Sequence, residues 1–373
     1  MSNLVDQDCM RRALQLALRG RGHVEPNPLV GCVVWRDGRV VGEGWHQRFG
    51  GPHAEIEALA RAGDQAAGST VYVTLEPCCH HGKTPPCSEA LIAARPRRVV
   101  VAMRDPFPRV DGGGLDALRQ AGIDVEVGVL EEEARRLAAP YLKLVMHHRP
   151  WVIAKWAMTL DGRIATPSGN SRWISGEASR AEVHRLRGRV DAILVGSHTA
   201  AVDDPLLTAR PPGPRAATRI VMDGAASLSP ESQLARTAAD VPVIVAVAGD
   251  ADPSKIKCLA EAGCEVLHCA GSSHAERLAR LLDELGRRQM TNLLVEGGSR
   301  LLGGLFDQRM IDEVYVFVAP KLIGGGSALS PLAGLGLEPM SAAVHLQYAE
   351  TTAHGDDLCI HGLVQYVPPQ GTS

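Results

Sequence analysis

The sequence predicts an α/β protein built as two domains. Three observations carry that prediction. The chain has 373 residues, too many for one ordinary core and about right for two. Amphipathic helical stretches alternate with short β-rich runs along most of its length. The alternation then restarts after a polar helical stretch, "LEEEARRLAAPYLKLVMHHRP", which ends at Pro150. The domains are accordingly assigned to 1–147 and 148–373.

The elements of the first domain follow in order. Residues 7–19 have helical periodicity. "LVGCVVWRDGRVVGEGWH" reads as a hairpin, two β-rich runs around the strong turn signal Asp37-Gly38. A helix is predicted from about Pro52 to Ala62, with proline in its first turn and Gly63 at its end. "STVYVTLEP" is a strand, "CSEALIAAR" a short helix and "RRVVVAM" a buried strand. "GLDALRQAG" and "IDVEVGV" repeat helix then strand, giving an α/β sandwich of modest size.

The second domain opens with the strand "WVIAKWAM", a turn at Asp161-Gly162 and a helix around 177–188. The strands "DAILVG", "RIVMDG", "VPVIVAV", "CEVLHCA", "NLLVEGG" and "EVYVFVAP" follow, with helices between several of them. Such apolar runs predict a largely parallel sheet buried on both faces. "TARPPGPRAATR" is a proline-rich loop, and no internal repeat or low-complexity tract is visible.

Composition narrows the function classes. Apolar residues make up 45%, enough for a large core, whereas aromatic content of 4% disfavours a stacking surface for nucleic acid. A formal net charge of −3 gives no electrostatic signal for DNA or RNA. "MSNLVDQDCMRRALQLALRG" reads as an amphipathic helix with no cleavage site, and no window approaches a membrane span. A cytoplasmic protein with no membrane and no nucleic-acid partner is expected. The nine scattered cysteines do not resemble a disulfide framework. All but Cys78 and Cys87 are expected to be buried thiols.

Those two cysteines belong to a constellation with His53, in "GGPHAEIEAL" and "TLEPCCHHGKTPPC". Zinc favours thiolate and imidazole ligands, and a catalytic site keeps three protein ligands plus water. His53, Cys78 and Cys87 supply three, each at a helix start or strand end, where helix N-termini favour thiolates. Glu55, two residues after His53, is placed to take a proton from metal-bound water and pass it on. The zinc nucleobase deaminases carry H-x-E and then P-C-x-x-C. Here "HAE" and Pro77-Cys78 fit, but the next usable cysteine comes nine residues later, at Cys87. A closed structural site remains the alternative, with a fourth ligand from Cys79, His80 or His81. Paired C-x-x-C knuckles, usual in such sites, are absent. Cys79 is left out because adjacent cysteines rarely bind one ion.

"PCCHHGKTPPC", "EPNPLVGCVV" and "GPHAE" together resemble the bifunctional riboflavin-biosynthesis deaminase–reductase family, over most of residues 7–130. The resemblance implies a cytidine-deaminase-like three-layer α/β/α domain with zinc on His53, Cys78 and Cys87 and Glu55 as proton shuttle. It also implies a pyrimidine near Asn27, whose amide can donate and accept; turn chemistry beside two prolines is the plainer role. His80, Lys83 and Thr84 would meet the phosphate of the substrate, or be solvated loop residues. "RDPFPRVDGGGL" departs from the family: Phe107 stands where asparagine is usual, while Asp105 is kept.

In the second domain, "NLLVEGGSRLLGGLF" places Gly297-Gly298 before a helix, a place for a cofactor pyrophosphate, but it is not GxGxxG. "PKLIGGGSA" is a second glycine cluster, equally weak alone. "AKWAMTLDGRIAT", "SRWISG", "VGSHTAAVDDPLLTAR" and "LLVEGGSRL" resemble the reductase half of the same family, which is dihydrofolate-reductase-like in fold and uses NADPH. The resemblance implies that Ala157, Trp173, Thr199, Asp203 and the segment Gly298, Ser299, Arg300, Leu301, Leu302, Gly303 and Gly304 line the NADPH site. Ser171, Arg187, Leu207, Arg210 and Glu296 would face the substrate. Arg187 and Arg210 suit a sugar phosphate, though either can be a surface charge. Gly224 stands where the family usually has serine, removing a hydroxyl from the cofactor's side.

The expected partner is a small phosphorylated pyrimidine, deaminated with zinc and then reduced with NADPH; a homo-oligomer is compatible with this. A nucleoside or tRNA deaminase would carry C-x-x-C and a basic face, and neither is present. A zinc-stabilised binding protein would need a fourth ligand and no Glu55.

Overall fold

Helix α1 (Ser2–Ala17) leads into a hairpin of β1 (Gly31–Arg36) and β2 (Arg39–Trp45). Asp37 and Gly38, both with positive φ, make the tight turn that the sequence signalled. Then come α2 (Ala54–Ala62), β3 (Thr70–Val73), α3 (Cys87–Ala94), β4 (Arg98–Val101), α4 (Gly113–Gln120), β5 (Asp124–Val127) and α5 (Glu131–His147). This computed structural model describes residues 2–80 and 85–366. The chain splits into two compact units, Met1–His148 and Arg149–Ser373.

The first unit is a five-stranded sheet of order β2-β1-β3-β4-β5. Pairing is antiparallel around β1 and parallel from β3 to β5. Strand alternation assigns its two faces. Cys32, Val34, Val71, Val73, Val99 and Val101 pack on Ala54, Ala58, Leu91 and Leu115 from α2, α3 and α4. Val33, Tyr72 and Val100 point the other way, onto Met10, Ala13 and Ala138 from α1 and α5. The expected three layers are therefore present.

The second unit contains β6 (Trp151–Thr159), α6 (Glu177–Arg187), β7 (Ala192–Gly196), α7 (Ser197–Asp203), β8 (Thr218–Met222), α8 (Gln233–Arg236) and β9 (Val243–Val247). It continues with α9 (Pro253–Glu261), β10 (Glu265–His268), α10 (His274–Arg287), β11 (Asn292–Gly297), α11 (Ser299–Asp307), β12 (Glu313–Ala319), β13 (His345–His354) and β14 (Asp357–Gln365). The sheet order is β10-β9-β8-β7-β11-β6-β12-β14-β13. The strands from β10 to β12 are parallel, as the apolar runs predicted, and β14 and β13 add on antiparallel. Helices α6, α8 and α9 cover one face and α10 and α11 the other.

The structure adds one element to the sequence reading and corrects two expectations. The β13–β14 hairpin was not read from the sequence, because "HLQYAETTAH" is exposed along almost its whole length and lacks an apolar alternation. Helix α2 starts at Ala54 with His53 as its N-cap, so Pro52 precedes the helix. Among cysteines expected to be buried, Cys258 is exposed and Cys79 only half-buried. Among the described residues, no helix is long and apolar enough to cross a membrane.

Small residues let α2 sit close to β2. A Cβ at Gly44 would lie 2.2 Å from Ala54 O, and one at Gly42 2.3 Å from Ala58 O. Gly44→Ala therefore pushes the His53 end of α2 off the sheet. Overpacking of this kind costs about 1–3 kcal/mol. Chemical denaturation should show that loss in the transition of the first unit, with the second unit's transition unmoved.

Candidate active sites

Three elements converge on the first site. His53 caps α2, Cys87 is the first residue of α3, and Cys78 lies in the segment between β3 and α3. Their ligand atoms all fall within 4.8 Å of one another. His53 Nδ1 is 3.2 Å from Cys87 Sγ and 3.6 Å from Cys78 Sγ. Tetrahedral zinc, from its usual bond lengths, holds nitrogen and sulfur ligands roughly 3.5 Å apart. The two nitrogen–sulfur distances bracket that spacing. The Cys87 thiol, its backbone N–H and His53 all converge on the Cys78 sulfur, which holds that thiol well below its ordinary range. Cys79 turns away, its thiol directed to the carbonyls of Arg109 and Val110. Among the described residues no fourth ligand joins the cluster.

Glu55 is 3% exposed, and its Oε2 has no partner. Burial pushes its carboxyl up to about 7, against the pull of His53. A buried acid with one open oxygen, beside three metal donors, can relay protons.

Asn27 is held by a residue the sequence did not reveal. His46 Nδ1 lies 2.9 Å from Pro52 O and His46 Nε2 3.1 Å from Asn27 Nδ2. These partners assign the tautomer: Nδ1–H donates to the carbonyl, and Nε2 accepts from the amide. Among the described residues, the Asn27 carbonyl oxygen and second amide hydrogen have no partner and are open to another molecule. His80 packs near Phe107, ring centres 6.1 Å apart, and its Nδ1 is buried without a partner. Lys83 and Thr84 lie outside the described residues. Asp105 faces inward, accepting from the Phe107 N–H and the Tyr141 hydroxyl.

In the second unit, α11 begins directly after β11, and Gly298 caps it with φ 94°. No side chain caps the first-turn N–H groups. Thr199 Oγ1 stands 3.6 Å from where a Gly298 Cβ would be. This is a donor-rich helix start suited to a pyrophosphate. The rest of the segment contributes less than the resemblance implied. Leu301 and Leu302 are buried in the core. Gly303 is required by packing, since a Cβ there would meet Ala333 O at 1.4 Å, and Gly304 lies against His274. The open part is Gly298, Ser299 and Arg300. Ala157 sits on β6, half-buried. Trp173 is 66% exposed, with the Arg180 guanidinium 4.7 Å from its ring centre. Arg172 donates to Asp203 O, which ties Trp173 and half-buried Ser171 to the end of α7.

Arg187 is not a free charge. It forks onto Glu296, with Nε to Oε1 at 2.5 Å and Nη2 to Oε2 at 2.8 Å. Lys155 joins this cluster from inside the apolar strand β6. Burial pulls its ammonium below the usual range, opposed by Glu296. Burial alone would raise Glu296, but Arg187 and Lys155 outweigh it and keep the carboxylate low. Leu207 is buried with φ 52°. The exposed Arg210 is anchored through its backbone N–H to His184 Nδ1 at 3.2 Å.

Comparison with known proteins decides the family. Residues 150–360 match the RibD C-terminal domain, and residues 4–103 match the cytidine and deoxycytidylate deaminase zinc-binding region. The riboflavin biosynthesis protein RibD of Actinobacillus pleuropneumoniae is 41% identical over 97% of this chain and 96% of its own. That of Escherichia coli K12 is 40% identical over 95% and 98%. The chain belongs to the RibD family.

RibD structures share its fold. That of Acinetobacter baumannii superposes with a TM-score of 0.84 at 36% identity, covering 96% of this chain and 99% of the other. A Thermotoga maritima structure, described as a diaminohydroxyphosphoribosylaminopyrimidine deaminase/5-amino-6-(5-phosphoribosylamino)uracil reductase, gives 0.82 at 34% identity, covering 98% and 100%. This RibD chain is therefore a bifunctional enzyme of riboflavin biosynthesis, a zinc deaminase and an NADPH-dependent reductase.

Sequence reasoning passed over Glu76, although it stands two residues before Cys78. Its Oε2 accepts from the N–H groups of Asp105 and Gly112, its Oε1 from those of Gly114 and Leu115. One carboxylate thus ties both ends of the 105–112 loop to the segment carrying Cys78. Glu76→Gln turns an amide NH₂ toward two of these donors. Leaving buried donors unmet costs about 1–3 kcal/mol each. Faster hydrogen exchange at Asp105 and at Gly112–Leu115, with a less stable first unit, is the expected outcome.

Proposed function

We propose that the chain performs two successive steps on one phosphorylated pyrimidine. The first unit removes ammonia from 2,5-diamino-6-(5-phosphoribosylamino)pyrimidin-4(3H)-one. The second reduces the ribosyl group of the product to ribityl, giving 5-amino-6-(5-phosphoribitylamino)uracil. The observation that carries the first step is the open, buried Oε2 of Glu55 beside the three-donor cluster. The Thermotoga relative's description supports the substrate. Nine free cysteines support a reducing, cytoplasmic setting.

In the first site His53, Cys78 and Cys87 would hold zinc, which when bound would make a water acidic enough to ionise near neutral pH. Asn27, steadied by His46, offers its amide to the edge of the pyrimidine. Glu55 takes a proton at Oε2, delivers it to the ring nitrogen and then serves the departing amine. Its burial keeps bulk water from competing for that proton. In the second site NADPH supplies the hydride. Thr199 and the first turn of α11 would hold its pyrophosphate. Glu296, Arg187 and Lys155 form a half-buried charged cluster that would orient the ribosyl group, and the exposed Arg210 would meet the phosphate.

Glu55→Gln should keep zinc at wild-type stoichiometry while ammonia release falls about 100-fold or more. Persistent release with zinc bound would sink the deaminase assignment. Glu296→Gln weakens the fork with Arg187 and should raise KM for the deaminated pyrimidine about tenfold. NADPH affinity should stay at the wild-type value, measured by fluorescence quenching. Equal weakening of NADPH would place Glu296 in the cofactor site instead.

A further inference from the structure

We propose that Arg277 recognises the 2′-phosphate that distinguishes NADPH from NADH. The inference rests on the reading that the Gly298 turn holds the cofactor pyrophosphate. Arg277 lies one turn into α10 and belongs to no assigned site. Its Nη1 donates to Gly271 O at 3.2 Å, which fixes the guanidinium at the end of β10. Its Nε is buried and has no partner. Among the described residues no carboxylate pairs with it. The neighbouring Glu276 is turned onto the Ser272 N–H and hydroxyl. Asp223 is likewise spent on its own turn, accepting from Ser227 and Leu228. A cation this well anchored and without an anion is a place for one.

Its position matches the reach of a dinucleotide. In parallel α/β sheets ligands lie across the carboxyl ends of the strands, where the strand order switches. Here β11 lies between β6 and β7, so the crevice opens at the ends of β11 and β7, beside Gly298 and Thr199. One strand further out, Gly224 lies in the turn just past the end of β8. A Cβ on Gly224 would lie 3.8 Å from Arg277 Nε and 3.7 Å from Ala248 Cβ. Two strand spacings separate this shelf from the pyrophosphate turn, roughly 10 Å, the scale of an adenosine ribose. Small residues floor the shelf and the guanidinium stands at its side. His274, one turn earlier on α10, touches Gly304, which joins this helix to the cofactor segment. The glycine at 224 brings no side chain to this shelf, and the guanidinium of Arg277 is the polar group beside it.

Direct binding to the full-length chain tests this, by fluorescence titration with NADPH, NADH and adenosine 2′,5′-bisphosphate. Arg277→Ala should weaken NADPH about tenfold or more and leave NADH within about twofold. Competition by adenosine 2′,5′-bisphosphate should be lost, and that by 5′-AMP kept. Arg277→Lys should retain part of the preference as a point charge. Arg277→Gln, which preserves bulk, takes the place of the alanine variant if that does not fold. Equal weakening of NADPH and NADH, or no change in either, overturns the proposal. Gly298→Val separates it from its foundation. If that variant leaves both dinucleotides bound as before, the cofactor-site reading fails and the proposal with it. If it weakens both while Arg277→Ala is unselective, only the role of the arginine fails.

Discussion

The first site depends on a carboxylate that does no chemistry. Glu76 sits in the segment that carries Cys78, and its two oxygens take four backbone N–H groups from a loop and a helix start. Two of those groups belong to the first turn of α4, where negative charge is favoured anyway. The tie reaches further than its own bonds. Helix α4 packs so closely that a Cβ on Gly114 would lie 2.0 Å from Pro77 O. The loop it closes also carries Phe107, beside His80, and the carbonyls that draw Cys79 away from the metal donors. With Cys79 outside it, the cluster has three donors among the described residues. An open position is what a catalytic metal needs and a structural one lacks.

The second site solves a different problem. It keeps Lys155, Arg187 and Glu296 largely out of water. A lone charge there would be costly, but the fork between Arg187 and Glu296 neutralises two of the three. The remaining ammonium is the one whose ionisation burial weakens. Arg187 consequently shares its charge with Glu296, and the exposed Arg210 carries the freer positive charge of the pair read from the sequence.

Much of this was legible in the sequence because the chemistry is local. His53 and Glu55 are two residues apart, and Cys78 and Cys87 close a short loop, so spacing alone suggests a ligand set. Alternating apolar runs also announced the layers and the parallel sheet. What stayed hidden depends on distant partners. The bonds of Glu76 span 29 to 39 residues, and His46 reaches Asn27 across 19. Lys155 left one trace, a charge inside an apolar strand. The β13–β14 hairpin is exposed and carries little apolar pattern. The glycines after Gly298 look like cofactor glycines, yet Gly303 is there because Ala333 O leaves no room for a side chain.

Both units nonetheless place their chemistry by one physical device. His53 and Cys87 stand at the N-terminal ends of α2 and α3, and Gly298 at that of α11. The unmet N–H groups and dipole of a helix start favour negative charge. In the first unit that charge is a thiolate, lowered further by the donors around Cys78. In the second the helix start is uncapped by any side chain. The helix supplies the field from its backbone, so its side chains are left to fill the core, as Ala54, Ala58, Leu301 and Leu302 do. Binding and packing are thus divided between the backbone and the side chains of the same element. That division explains why the site residues fall at element boundaries while the apolar periodicity of the helices continues past them.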